Sequence, residues 1–212
     1  MKQRLEKMTG LRMGITTPGA TSDLFMRYIF RANGLNPEKD LTIVPLGGVS
    51  SQLAALEAGR VDGCSCLPPV DVIGAQQDLT VSVLNRQKDF PQLSGVSYGT
   101  LYGLNSYNKA HPEVTNAVAR AITRATLLIK HDPDAAKHAT RPFLKQLDEK
   151  TFDAAWSTYL PFMPTSPDIS EESYDKELAF EKAVLPAKDS KPVPYGQAVD
   201  DSYVRHAMQE LS

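Results

Sequence analysis

Apolar and polar positions change period several times along the N-terminal half of this chain. Leu11 to Thr16 is a short apolar run that reads as a buried strand. It breaks at Thr17-Pro18-Gly19, and from about Ser22 the residues Leu24, Phe25, Tyr28, Ile29 and Ala32 recur at helical spacing until Asn33-Gly34 stops them. Leu41 to Leu46, carrying the β-branched Thr42 and Ile43, predicts a second strand, and Ser51 to Ala58 a second helix closed by Gly59. Val61 to Leu67 predicts a third strand ending at Pro68-Pro69, which cannot continue a ladder. Asp71 to Gln76 then reads as a short helix and Leu79 to Leu84 as a further strand. This alternation predicts an α/β fold with parallel strands joined by right-handed crossovers.

From Gln87 to Tyr107 the chain is polar, with Tyr98, Tyr102 and Tyr107 as aromatics that pack or touch a ligand. Beyond Tyr107 the pattern turns helical. His111-Pro112-Glu113 opens a helix whose face of Val114, Ala117, Val118, Ala121, Ile122, Ala125, Leu128 and Ile129 keeps the helical period, which predicts burial of that face. Phe152, Ala155, Trp156, Tyr159 and Leu160 mark another helix, halted near Pro161 and Pro164. Ser170-Glu171-Glu172 opens a third, carrying Tyr174, Leu178 and Ala179, before a proline-broken linker from Lys188 to Pro194. Asp200 or Asp201 starts a last helix with Tyr203, Val204, Ala207, Met208 and Leu211 inward.

In parallel α/β sheets, ligands lie beyond the carboxyl ends of the strands. Here those loops are Thr17 to Ser22, Gly47 to Ser51 and Leu67 to Asp71. The first N–H groups of a helix lack intrahelical partners and attract an anionic or polar group. The candidate ligand-binding residues are therefore Thr17, Gly19, Ala20, Thr21 and Ser22 in the first turn and Gly47, Gly48 and Val49 in the second, with Pro68 and Pro69 shaping a wall. Thr21 and Ser22 are expected to donate hydroxyl hydrogen bonds, and the amides of Ala20 and Thr21 to meet charged oxygens. The plain structural alternatives are a helix cap at Gly19 to Ser22 and a tight turn of positive φ at Gly47-Gly48.

Composition narrows the partner. The 212 residues are 42% hydrophobic and 23% charged, an ordinary globular balance, and 23 basic against 25 acidic residues leave a formal charge of -2. Nothing in that balance favours nucleic acid or an anionic membrane, so a small molecule is the expected partner. Cys64 and Cys66 read as buried free thiols in a strand. His111, His131, His138 and His206 are scattered without metal spacing. Arg12, Arg27, Arg31, Arg60 and Arg86 read as solvated surface cations. No nucleophile with a neighbouring base appears, Ser50-Ser51 lacks a G-x-S-x-G setting, and no catalytic residue, metal or cofactor is expected.

The order Thr9-Gly10-Leu11-Arg12-Met13-Gly14-Ile15, Pro18-Gly19, Gly34-Leu35-Asn36-Pro37, Val44-Pro45-Leu46-Gly47-Gly48, Ala54-Ala55-Leu56-Glu57-Ala58-Gly59-Arg60-Val61-Asp62 and Pro68-Pro69 resembles the nitrate/sulfonate/taurine solute-binding proteins of ABC importers. That group also includes the thiamine-precursor-binding proteins. The likeness weakens after about Lys145 and returns at Pro194-Tyr195 and Val199 to Val204. It implies a type II periplasmic-binding-protein-like fold: a linker remnant at 1–10, a three-layer parallel-sheet ligand-binding lobe at 11–95, and a crossover with a mainly helical, incomplete second lobe at 96–212. It further implies binding of a small oxoanion-bearing solute (sulfonate, nitrate, taurine or carboxylate) in an interlobe cleft. Delivery to ABC permease subunits and a periplasmic or extracytoplasmic location follow from the same likeness, although no signal peptide is read at Met1 to Lys7. Family members are similar in carrying a βα segment of about a hundred residues, the size of a small domain, before the Thr9-Gly10-Leu11 linker. The resemblance thus implies that half of one lobe is missing, with uncovered helices at Val114 to Ile129 and Phe152 to Leu160 and either poor solubility, self-association or a rearranged packing as the consequence. Two alternatives share the architecture, a pyrimidine-precursor synthase of thiamine biosynthesis and a ligand-sensing regulatory domain. Gly63-Cys64-Ser65-Cys66 does not reproduce the synthases' cysteine-rich run, and no DNA-reading helix-turn-helix or basic patch supports the second.

Overall fold

The structure is a computed structural model and describes residues 1–66, 68–93, 95–96, 99–185 and 192–211. The chain divides into two compact units, Met1–Val96 with Asp175–Lys191, and Ser97–Tyr174 with Pro192–Ser212.

The first unit contains helix α1 (Lys2–Glu6), strand β1 (Arg12–Ile15), α2 (Thr21–Ala32), α3 (Pro37–Asp40), β2 (Thr42–Pro45), α4 (Val49–Glu57), β3 (Gly63–Cys64), α5 (Val70–Gln76) and α6 (Arg86–Asp89). The strands form a parallel sheet in the order β2-β1-β3, with Met13 opposite Ile43 and Gly63. β1 is buried on both faces, as a central parallel strand must be, with Met13 and Ile15 in the core and Gly14 against Leu46 and Cys64. Met26, Ile29 and Phe30 of α2 pack with Leu5, Met8, Leu41, Phe90 and Leu93, and with Phe180 and Val184 of α11 (Glu171–Val184). Ring contacts at Phe25–Phe90 (5.6 Å) and Tyr28–Phe180 (5.2 Å) fix those approaches.

Several expectations change. The segment 1–10 is not a bare linker, because α1 seats Leu5 in the core with no exposure. The expected strand 61–67 pairs only at Gly63–Cys64, with Leu67 outside the described residues. Leu79 to Leu84 alternates like a strand yet forms none: a two-residue β3 offers almost no ladder to extend, and Val81 is 83% exposed. Asp175 onward belongs to the first unit, so all but the first turn of α11 does not follow the expected 96–212 division.

At the amino end of β1, Arg12 grips Asp62 from its backbone N–H (2.8 Å), Nε (3.1 Å) and Nη2 (2.6 Å). The Arg12 side-chain and backbone hydrogen bonds pull the Asp62 carboxyl down to about 2. A depressed carboxyl stabilises the fold above its unfolded value and loses that contribution as pH falls through its folded one. Asp62→Asn is therefore expected to lower the Tm at neutral pH and to match the wild type below about pH 2. Parallel acid titrations followed by circular dichroism check this, and a gap that persists unchanged at the lowest pH would refute it.

The second unit holds α7 (Asn105–Ala110), α8 (Pro112–His131), α9 (Pro133–Thr140), α10 (Glu149–Tyr159), α12 (Tyr195–Ala198) and α13 (Ser202–Leu211). Phe152 and Trp156 are not uncovered as expected: Ala136, Ile129, Leu144, Leu147, Leu160 and Met163 surround them. α8 is different: it buries Thr123 and Thr126 while Val114, Val118, Ile122 and Leu128 stay exposed, so its apolar face is uncovered, as the resemblance implies for Val114 to Ile129 and against the burial that its period alone predicts. The Thr123 hydroxyl has no hydrogen-bond partner among the described residues, which shows a polar side turned inward without compensation. Met208 of α13 is likewise exposed rather than inward.

Candidate functional site

The three loops named from the sequence follow the carboxyl ends of three neighbouring parallel strands. The β1–β2 ladder continues past both strands, since Leu46 N–H donates to Ile15 O (2.8 Å) and Gly47 N–H to Thr16 O (2.9 Å). The first and second turns are therefore joined by a backbone hydrogen bond. On the other side Ser65 N–H donates to Gly14 O (2.8 Å), which carries the chain toward Pro68 and Pro69 and a cis bond between them.

The first turn is built by its own side chains. Ser22 Oγ accepts from Thr16 N–H (3.0 Å) and lies 2.8 Å from Thr16 Oγ1, so this hydroxyl closes the turn rather than standing open for a ligand. Gly19, at φ +78, donates its N–H to Asp23 Oδ2 (2.8 Å), and Ala20 donates to Thr17 O (3.1 Å). The Ala20 amide, expected to face an oxyanion, is thereby occupied. Among the described residues no acceptor meets the amides of Thr21 and Ser22, which open α2. Thr21 and Thr17 are exposed, and the structure gives neither hydroxyl a partner among the described residues.

The second turn is held from beneath. Gln52, with no exposure, donates from Nε2 to Gly47 O (2.8 Å), and Gly47 sits at φ +77. Gly48 caps α4 in an extended conformation, so the amides of Val49 and Ser50 likewise have no acceptor among the described residues. Apart from Asp23 the two turns carry no charged side chain, and Asp23 is buried and neutralised by Arg27 Nε at 2.8 Å. Any negative charge placed at the two turns would be met by neutral dipoles, those of the open amides and of the Thr17 and Thr21 hydroxyls, and by no charged side chain of the turns themselves.

Asp23, Arg27 and Gln52 carry no signal in the sequence that marks them as builders of the turns. An acidic residue in the first helical turn with arginine four positions on is visible there, but that pattern marks countless solvated helix faces. Arg12 and Arg31 lie at the surface as expected, each in an ion pair, and Arg27 is half-buried against Asp23, while the Arg86 side chain and Tyr98 lie outside the described residues. Tyr102 is 92% exposed and so does not pack, and Tyr107 lies against His111 in a tilted ring contact at 4.6 Å. Cys64 and Cys66 are joined in a disulfide, with Cα atoms 5.1 Å apart, in place of the free thiols expected. β3 ends at Cys64, so Cys66 has left the pleat and its sulfur can turn back across Ser65. Among the described residues no group of His, Cys, Asp and Glu could hold a metal, and no helix is long and apolar enough to cross a membrane.

A model of the NMT1-like family matches residues 1–142, a span that contains all three turns. The chain belongs to that family. The nitrate/nitrite binding protein NrtA of Nostoc sp. (strain PCC 7120 / SAG 25.82 / UTEX 2576) is 34% identical over 85 residues, 39% of this chain and 19% of that protein. The match thus spans about a fifth of that curated relative. A solved structure from Bordetella bronchiseptica RB50 superposes with a TM-score of 0.82 at 23% identity, over 97% of this NMT1-like chain and 66% of the other. That likeness shows the fold, a mixed α/β architecture of the periplasmic-binding-protein type.

Proposed function

We propose that this NMT1-like chain is the solute-binding component of an ABC importer, working outside the cytoplasmic membrane and passing a small oxoanion-bearing solute to permease subunits. The observation that carries the reading is the pair of helix starts joined by Gly47 N–H to Thr16 O, each presenting amides without a protein acceptor among the described residues. Thr17, Gly19, Ala20, Thr21 and Ser22 form the first wall, Gly47, Gly48 and Val49 the second, and Pro68 with Pro69 the third. Thr21 and Ser22 amides bind on one side and Val49 and Ser50 amides on the other, with the Thr17 and Thr21 hydroxyls adding donors. The similarity to a nitrate/nitrite binding protein puts nitrate first among ligands. Neutral dipoles suit a monovalent, delocalised anion, whose charge needs no side-chain counter-ion. No bond is made or broken in this role.

Calorimetric titration with nitrate, taurine, an alkylsulfonate and benzoate tests the reading. One of the four is expected to bind at micromolar concentration, and the absence of binding by all four up to about 1 mM would overturn it.

A further inference from the structure

The buried carboxylate of the first turn is one end of a chain of charges. Asp23 is 3% exposed, and its two oxygens serve different donors: Oδ2 accepts from Gly19 N–H and Oδ1 from Arg27 Nε, both at 2.8 Å. Arg27 Nη1 then donates to Glu38 Oε1 at 3.1 Å, and Arg31 Nη2 donates to the same oxygen. Arg31 Nη1 donates in turn to the carbonyl of Val184, the last residue of α11. Asp23, Arg27 and Arg31 fall at successive turns of α2, so one face of that helix carries three of the relay's four side chains and α3 supplies the fourth, Glu38. Glu38 is fixed independently, because Asn36 caps α3 through Glu38 N–H at 3.0 Å. Partial burial pushes the Glu38 carboxyl up, but its own amide and the two guanidiniums outweigh that and hold it below its ordinary value.

We propose that Asp23, Arg27, Glu38 and Arg31 are positioning residues that set the first turn and couple it to the carboxyl end of α11. The coupling of ligand to α11 rests on the solute-binding reading; the coupling of turn to α11 does not. Two carboxylates against two guanidiniums leave the relay neutral, and Asp23, its buried member, relies on Arg27 for compensation. Releasing Arg31 frees Glu38 to pull Arg27 away from Asp23, and Gly19 then loses the carboxylate that holds its positive-φ turn. α11 also packs on α2 through Phe180 and Tyr28, so the two helices move as neighbours, and its chain runs on from the second unit into the first.

Hydrogen exchange on the full chain, read amide by amide, tests this without any ligand. Arg31→Met keeps the aliphatic stem and removes the donors. It is expected to speed exchange at Gly19 by about threefold or more, the size typical of coupling between remote sites. Ala55 in α4 is expected to keep its rate, and Arg12→Met, which breaks an ion pair off the relay, to leave Gly19 unchanged. Glu38→Gln should reproduce the Arg31→Met effect. An unchanged Gly19 rate in Arg31→Met, or an equal rise at Ala55, overturns the proposal, the second by showing general loosening. With sodium nitrate as probe, Arg31→Met is expected to weaken binding about threefold relative to wild type. Should the wild type not take nitrate, the nitrate assignment fails while the exchange result still decides the coupling.

Discussion

Phe30→Ala is expected to cost the first unit about 3–5 kcal/mol, a loss comparable with much of the stability of an ordinary domain. Phe30 has no exposed surface and lies near the carboxyl end of α2, within a cluster that draws Leu5 and Met8 from the amino end, Leu41 from before β2, and Phe180 and Val184 from α11. Because these neighbours come from segments far apart in sequence, no single element can shift to fill the space the ring leaves. The cost is therefore transfer energy plus a standing cavity. Urea unfolding followed by far-ultraviolet circular dichroism should show a lower midpoint with an unchanged slope. A loss below about 1 kcal/mol would mean that the cluster does not hold the unit together.

Gly14→Val is expected to cost about 1–3 kcal/mol and to weaken solute binding as well. A Cβ at Gly14 would stand 2.4 Å from Leu46 Cδ1 and 3.1 Å from Cys64 Cβ. Leu46 Cδ1 is the tip of a side chain that can rotate away, so Gly14→Ala should be the milder variant. Valine adds methyls toward Cys64, whose Cβ is fixed by the ladder to β1 and cannot yield without spreading the sheet. Both turns hang from this point, since Leu46 N–H bonds to Ile15 O and Gly47 N–H to Thr16 O just beyond it. Spreading the strands separates the open amides of α2 and α4, and affinity for the best of the four titrated solutes should fall further than the unfolding midpoint accounts for. Valine binding as tightly as glycine at this position would show that the two turns do not act together.

Much of the first unit was legible. The helical recurrence of Leu24, Phe25, Tyr28 and Ile29 placed α2 within a residue or two, and Gly34 at φ +77 ends it as expected. α4 starts at Val49, two residues before the sequence predicts, because Gly48 caps it through its backbone, without a side-chain signal. The strand expected at Leu79 to Leu84 shows the limit: alternation describes what a segment can do, and pairing requires a free edge nearby. α8 shows it more strongly. Its period predicts burial of the apolar face, and only the resemblance implies the uncovered face that α8 has, because the sequence of a helix says which residues share a side but not which side meets the rest of the chain.

The sequence alone determined the alternating βα order, the positions of the glycine turns and the membership of the loops that follow the strands, because each depends on spacing over a few residues and on backbone sterics. The tertiary structure alone decided which donors in those turns stay open. Ala20 and the Ser22 hydroxyl looked available, yet Thr17 O and the Thr16 backbone and hydroxyl already hold them. It also decided that Asp23, Arg27, Glu38 and Arg31 form one relay reaching Val184, and that Cys64 meets Cys66. A hydrogen bond is satisfied by whichever partner folding brings within about 3 Å, and for groups far apart in sequence only the folded chain names that partner.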